Sequence, residues 1–123
     1  MARSRSTTTD LMKSEEFVEI ALSSIEREIE IVKIRIPGVS ERLAAEAAAF
    51  VRELRGLDLA KPPGVAETID WTMALNALGK QEIDADVVEQ TLGSVLKYRE
   101  DIEEVRDETL ARLVDTARAT AAR

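Results

Sequence analysis

The chain has 123 residues, with 24 acidic against 17 basic side chains and a formal charge of −7. That length suits one domain with a modest core, and that charge opposes non-specific attraction to nucleic acid or to an anionic membrane surface. Cysteine and histidine are both absent, which removes the usual zinc ligands, thiol nucleophiles and Ser-His or Cys-His pairs, so the chain is not expected to be an enzyme.

Apolar residues make up 45% of the sequence and aromatic residues only 3%. A core of Ala, Leu, Ile and Val favours closely packed helices, and the predicted fold class is all-α, a small bundle of four to five helices. No apolar run approaches the roughly 20 residues of a membrane-spanning helix, and Arg3 and Arg5 are not followed by the apolar segment of a signal peptide. The expected location is the cytoplasm.

Taken in chain order, Met1 to Thr9 are small and polar, without apolar periodicity, and read as a flexible tail. Between Leu11 and Leu22 two patterns compete. Val18, Ile20 and Leu22 alternate as in a strand, whereas Phe17 with Ile20 and Ala21 suits a helix. Ser23 followed by Glu26 has the spacing of a capping box and opens a predicted helix over residues 24–35, with Ile25, Ile29, Val32 and Ile36 as its apolar stripe and Pro37-Gly38 as its stop. A helical domain is therefore expected over 23–123, preceded by a tail over 1–22.

Ser40 is the next predicted cap, and Leu43, Ala47, Phe50, Leu54 and Leu57 repeat at the period of one helix face, with Gly56 placed to close the helix in a left-handed conformation. Lys61-Pro62-Pro63-Gly64 cannot continue a helix. A new one is expected from Val65 to Leu78, with Gly79 as its stop; its apolar residues run around most of its circumference, so it is expected to be the central, most enclosed helix. Asp84 caps a helix with Val88, Leu92 and Val95 facing inward, and Gly93 reads as a close crossing or a weak point. From Glu100 onward a single charged helix is predicted, with Ile102, Val105, Leu110, Leu113, Val114 and Ala117 as its apolar side.

Three groupings carry potential chemistry. Glu67 and Asp70 share a helix face and could pair as carboxylates, but with no histidine or third acid nearby a hydrogen-bonding role for Asp70 beside Trp71 is the favoured reading. The connector at Lys61 to Gly64 places a positive side chain and free backbone N–H groups at a helix start, an arrangement suited to phosphate, although the chain has no GxxxxGK[ST] loop. Glu100, Glu104 and Glu108, with Asp101, Glu103 and Asp107, give the last helix an acidic face that reads as a solvated surface.

One stretch goes further. Leu54-Arg55-Gly56-Leu57-Asp58-Leu59-Ala60-Lys61-Pro62-Pro63-Gly64-Val65-Ala66-Glu67-Thr68-Ile69-Asp70-Trp71 resembles the C-terminal lid of MoxR-type AAA+ ATPases, especially the branch related to CoxD. Upstream, Glu26-Arg27-Glu28-Ile29-Glu30-Ile31-Val32 followed by Pro37-Gly38-Val39 is similar to the first lid helix and its exit. Downstream, Thr91-Leu92-Gly93-Ser94-Val95-Leu96-Lys97-Tyr98-Arg99-Glu100-Asp101 is similar to the closing segment.

The resemblance implies a four-helix-type lid that packs on a nucleotide-binding core and its ring neighbours, closes over ATP and magnesium held by that core, and acts with a von Willebrand factor A domain partner on a client protein. It makes Val18 to Leu22 the remnant of a preceding core strand and places Lys61, Gly64 and Glu67 at the nucleotide-facing edge. The phosphate loop, the magnesium-positioning acids and the arginine finger of such an ATPase are not in this sequence, so no cofactor is expected in the isolated chain. The sequence also departs from the family where a sensor arginine is expected, since Ala66 stands near that place and no arginine occurs between Lys61 and Leu78. The alternative is a free-standing helical adaptor that binds a protein through its acidic last helix or exposed apolar patches.

Overall fold

The structure, a computed structural model, describes residues 24–106 and 109–123. The capping box at Ser23, the tail, the open segment 11–22, and Asp107 and Glu108 lie outside the described residues.

The described residues form six α-helices: α1 (Ser24–Arg35), α2 (Glu41–Arg55), α3 (Val65–Ala77), α4 (Ala85–Thr91), α5 (Arg99–Arg106) and α6 (Leu110–Ala121), with a 3-10 turn at Leu92–Ser94 after α4. The all-α class holds, and the helix count is one above the expected range because the charged C-terminal region is two helices. Val105 and Leu110 are both buried, and a five-residue step leaves two side chains about 140° apart on an uninterrupted helix. Breaking the helix lets both residues face the core.

α2 packs against α1, α3 and, most extensively, α6. Ser40 Oγ accepts the Leu43 N–H at 3.0 Å and starts α2 as expected. Nine of its fifteen residues are buried, against five of thirteen in α3. The central helix is therefore α2 and not α3. The difference lies in side-chain size. Ala44, Ala47, Ala48 and Ala49 are buried and let neighbouring backbones approach on several sides. α3 instead leaves Val65 and Met73 exposed, as is Leu78 just after it.

Phe50 and Trp71 are fully buried with ring centroids 5.3 Å apart and tilted by 42°, the aromatic centre of a core that also takes in Leu54, Leu75, Ile83 and Leu92. A second, smaller cluster of Val32, Ile36, Ala44 and Ile69 joins α1, α2 and α3.

The helix ends follow local chemistry. Asp84 Oδ1 accepts the Val87 N–H at 2.8 Å, and the inward Val88, Leu92 and Val95 are buried as the spacing predicts. α3 ends in a Schellman arrangement: Lys80 N–H donates to Leu75 O and Gly79 N–H to Asn76 O, with Gly79 at φ +77°. Gly56 does not do the same. It stays right-handed at φ −82°, its N–H donating to Glu53 O and the Leu57 N–H to Leu54 O, so α2 closes by a tightened final turn. Gly93 is exposed with open space where a Cβ would sit, so no helix crosses closely there.

Candidate functional site

The connector between α2 and α3 lies at an edge of the bundle, with Lys61, Pro62 and Gly64 exposed and Glu67 half-buried in the first turn of α3. The three residues singled out by the sequence, Lys61, Gly64 and Glu67, thus come together. Glu67 Oε1 accepts the Gly64 N–H at 2.8 Å. That bond holds the Glu67 carboxyl below its ordinary range; burial pushes the other way, and its own N–H and the charges of Lys97 and Lys61 add to the lowering.

The backbone of the connector is engaged, contrary to the expectation of free N–H groups. Asp101, at the start of α5, is buried and accepts the Ala60 N–H at 2.8 Å and the Lys61 N–H at 3.0 Å through its two oxygens. Pro62 and Pro63 have no N–H. From Ala60 to Gly64, therefore, every backbone donor already meets a carboxylate of this chain. An anion approaching this edge meets the Lys61 ammonium and the first turn of α3, but no free amide of the connector.

Beneath the connector lies a polar node that the sequence reading did not identify. Glu28 of α1 is buried, and Arg55 at the end of α2 donates to both its oxygens at 2.7 Å. Arg55 Nε donates to Pro63 O at 2.7 Å, and the Thr68 hydroxyl of α3 donates to Glu28 Oε2 at 2.7 Å. Burial pushes the Glu28 carboxyl up, but the hydrogen bonds from Arg55 and Thr68 and the guanidinium charge outweigh it and hold the group below its ordinary value. The missed signal was the spacing. Glu28 follows Ile25 by three and precedes Val32 by four, which puts it on the apolar stripe of α1.

Trp71 is buried as its place in the sequence suggests, but Asp70 does not anchor it: Asp70 is exposed, and the indole N–H donates to Thr91 Oγ1 at 2.8 Å. Glu100, Glu103 and Glu104 of the acidic face are exposed as expected, while Asp101 turns inward.

A third buried carboxylate, Glu46, ties α2 to the residues that follow α3. Its Oε1 accepts the Ile83 N–H at 2.8 Å and its Oε2 the Arg42 Nε at 3.0 Å, while Glu82 pairs with both Arg42 and Arg118. Arg42, Glu46 and Arg118 border an open groove of about 730 Å³ over Ala45, between α1 and the end of α6. Its two arginines are already matched by Glu46 and Glu82, so it offers an anion no unmatched charge.

Among the described residues no helix is long and apolar enough to cross a membrane, and no group of three or more carboxylates is arranged to hold a metal ion. No family model, curated protein or solved structure matches the chain.

Proposed function

We propose that this helical bundle is a lid of the MoxR-type AAA+ class, which works by closing over a nucleotide held on a core supplied by another stretch of polypeptide. The observation that supports the reading is a convergence. The three sequence segments that resemble such lids are separate in the chain, yet in the fold the second is hydrogen-bonded to each of the other two. Glu28 comes from the first; Arg55, Pro63 and Thr68 from the second; and the third joins the second twice, through Asp101 on Ala60 and Lys61 and through Thr91 on Trp71. A resemblance carried by unrelated surface positions would have no reason to coincide with the hydrogen bonds that join α1, α2, α3 and α5.

In this reading Lys61, Gly64 and Glu67 lie on the nucleotide side, ATP and magnesium are held by the core, and the chain supplies closure and coupling to a client instead of bond-breaking chemistry. The exposed Ile34, Val65, Met73, Leu78 and Tyr98 are surface for the core or a ring neighbour. The same exposed residues are what favour the adaptor reading, in which they bind a protein partner with no nucleotide involved.

A titration of the isolated chain with ATP, followed by backbone amide shifts at two salt concentrations, separates the readings. One ammonium and one helix start in contact with water give weak attraction, so a Kd of about 1 mM or weaker is expected, with shifts centred on Lys61 to Glu67 and diminished by salt. Tight binding insensitive to salt, or shifts centred elsewhere, contradicts the lid reading. No shift at all favours the adaptor.

A further inference from the structure

The connector is held more firmly than a surface loop between two helices requires. Loop amides at a surface are ordinarily satisfied by water, yet here Asp101 is withdrawn from water to 3% exposure and takes two of them, from residues 40 and 41 positions away. Desolvating a carboxylate is costly unless donors replace the water, and both donors found for it are connector amides. Arg55 grips the same connector at Pro63 O and Glu67 grips it at Gly64 N–H. Five residues are thus anchored at four points by side chains from α2, α3 and α5, which makes a rigid mount, and the exposed Lys61 is the cation it carries.

We propose that Asp101 is the positioning residue of this edge: by fixing the backbone of Ala60 and Lys61 it sets the point from which the Lys61 side chain reaches toward an anionic ligand of the phosphoryl class. The ligand class rests on the lid reading above; the positioning of the backbone does not. Asp101 touches no ligand in this account and acts only through the connector.

The test uses the whole chain and D101N, which keeps one carbonyl oxygen to accept an N–H but turns an NH2 group toward the other. One of the two amides, Ala60 or Lys61, is expected to exchange with deuterium at least about tenfold faster in D101N, with the Phe50 and Val51 amides and the Trp71 emission unchanged. ATP-induced shifts at Lys61 are expected to fall at least about threefold at equal ATP concentration, as the backbone that carries the lysine is no longer held in one place. Exchange at Ala60 and Lys61 as slow as in the parent chain, acceleration spread evenly through α2, or ATP shifts left intact by the substitution each overturns the positioning role. The two readings fail separately. A parent chain whose residues 61–67 do not respond to ATP refutes the lid reading and the ligand half of this proposal, while the exchange data still decide the backbone half; a response that D101N preserves refutes the positioning role alone. Should D101N not fold, native-state exchange of the parent chain decides: protection of Ala60 and Lys61 comparable to that of α2 is expected, and exchange at the rate of an open loop overturns the proposal.

Discussion

Glu28 and Arg55 show how unequal the two halves of a buried ion pair are. Glu28 has 6% of its side chain exposed and Arg55 31%, so losing the arginine strands a buried carboxylate, whereas losing the carboxylate leaves a guanidinium that water can reach. Arg55→Met is expected to cost about 3–5 kcal/mol and Glu28→Gln about 2 kcal/mol, measured as changes in urea unfolding; equal costs would show that the pair is not buried as described. The same node sets an acid limit. The Glu28 carboxyl lies below its ordinary value of 4.5 in the folded chain, so its contribution is fully present above pH 4.5 and is lost as pH falls through the lower, folded value. The loss of stability below pH 4.5 is expected to be smaller in Glu28→Gln than in the parent chain, checked by urea midpoints across that range; identical acid profiles would assign the effect to other carboxylates. The node was only half legible in the sequence. The spacing put Glu28 on the apolar stripe and Asp101 four residues before Val105, but a charge at such a position reads as core only once its partner is known, and those partners lie 27 and 40 to 41 residues away.

Local chemistry was the more readable level for whole elements. The caps at Ser40 and Asp84, the stop at Gly79 and the inward faces of α2 and α4 depend on neighbours a few residues away, and the structure has them as the spacing predicts. What failed depended on packing between helices: α3 reads as central because it is rich in apolar residues, yet α2, rich in alanine, admits more neighbours. The glycines give a test with opposite signs. Gly79 sits at φ +77°, where a side chain is strained, and Gly79→Ala is expected to cost about 1–2 kcal/mol. Gly93 has right-handed neighbours and open space around its Cβ position, so Gly93→Ala is expected to stabilise by about 0.5 kcal/mol. Thermal or urea unfolding of the two variants decides: stabilisation by Gly79→Ala would contradict the backbone assignment at Gly79, and destabilisation by Gly93→Ala would contradict the open space at Gly93.

At the level of the molecule, the proposed role is that of a lid that closes on a separate core. The connector edge is anchored by hydrogen bonds and carries a cation, Val65 and Met73 of α3 are exposed, and the chain's own carboxylates already take the amides a phosphate would use. The isolated chain is expected to hydrolyse no ATP above a buffer blank, because its sequence has no GxxxxGK[ST] loop and its described residues bring no three carboxylates together for magnesium; turnover that co-purifies with the chain through successive columns would contradict this. The most direct measurement of the central claim is association of the chain with a MoxR-type nucleotide core from which the native lid has been removed, with and without ATP and magnesium. The lid account predicts binding that strengthens when nucleotide is present and weakens when Lys61 is replaced by Ala. No association in either condition, or association indifferent to both nucleotide and Lys61, would contradict it.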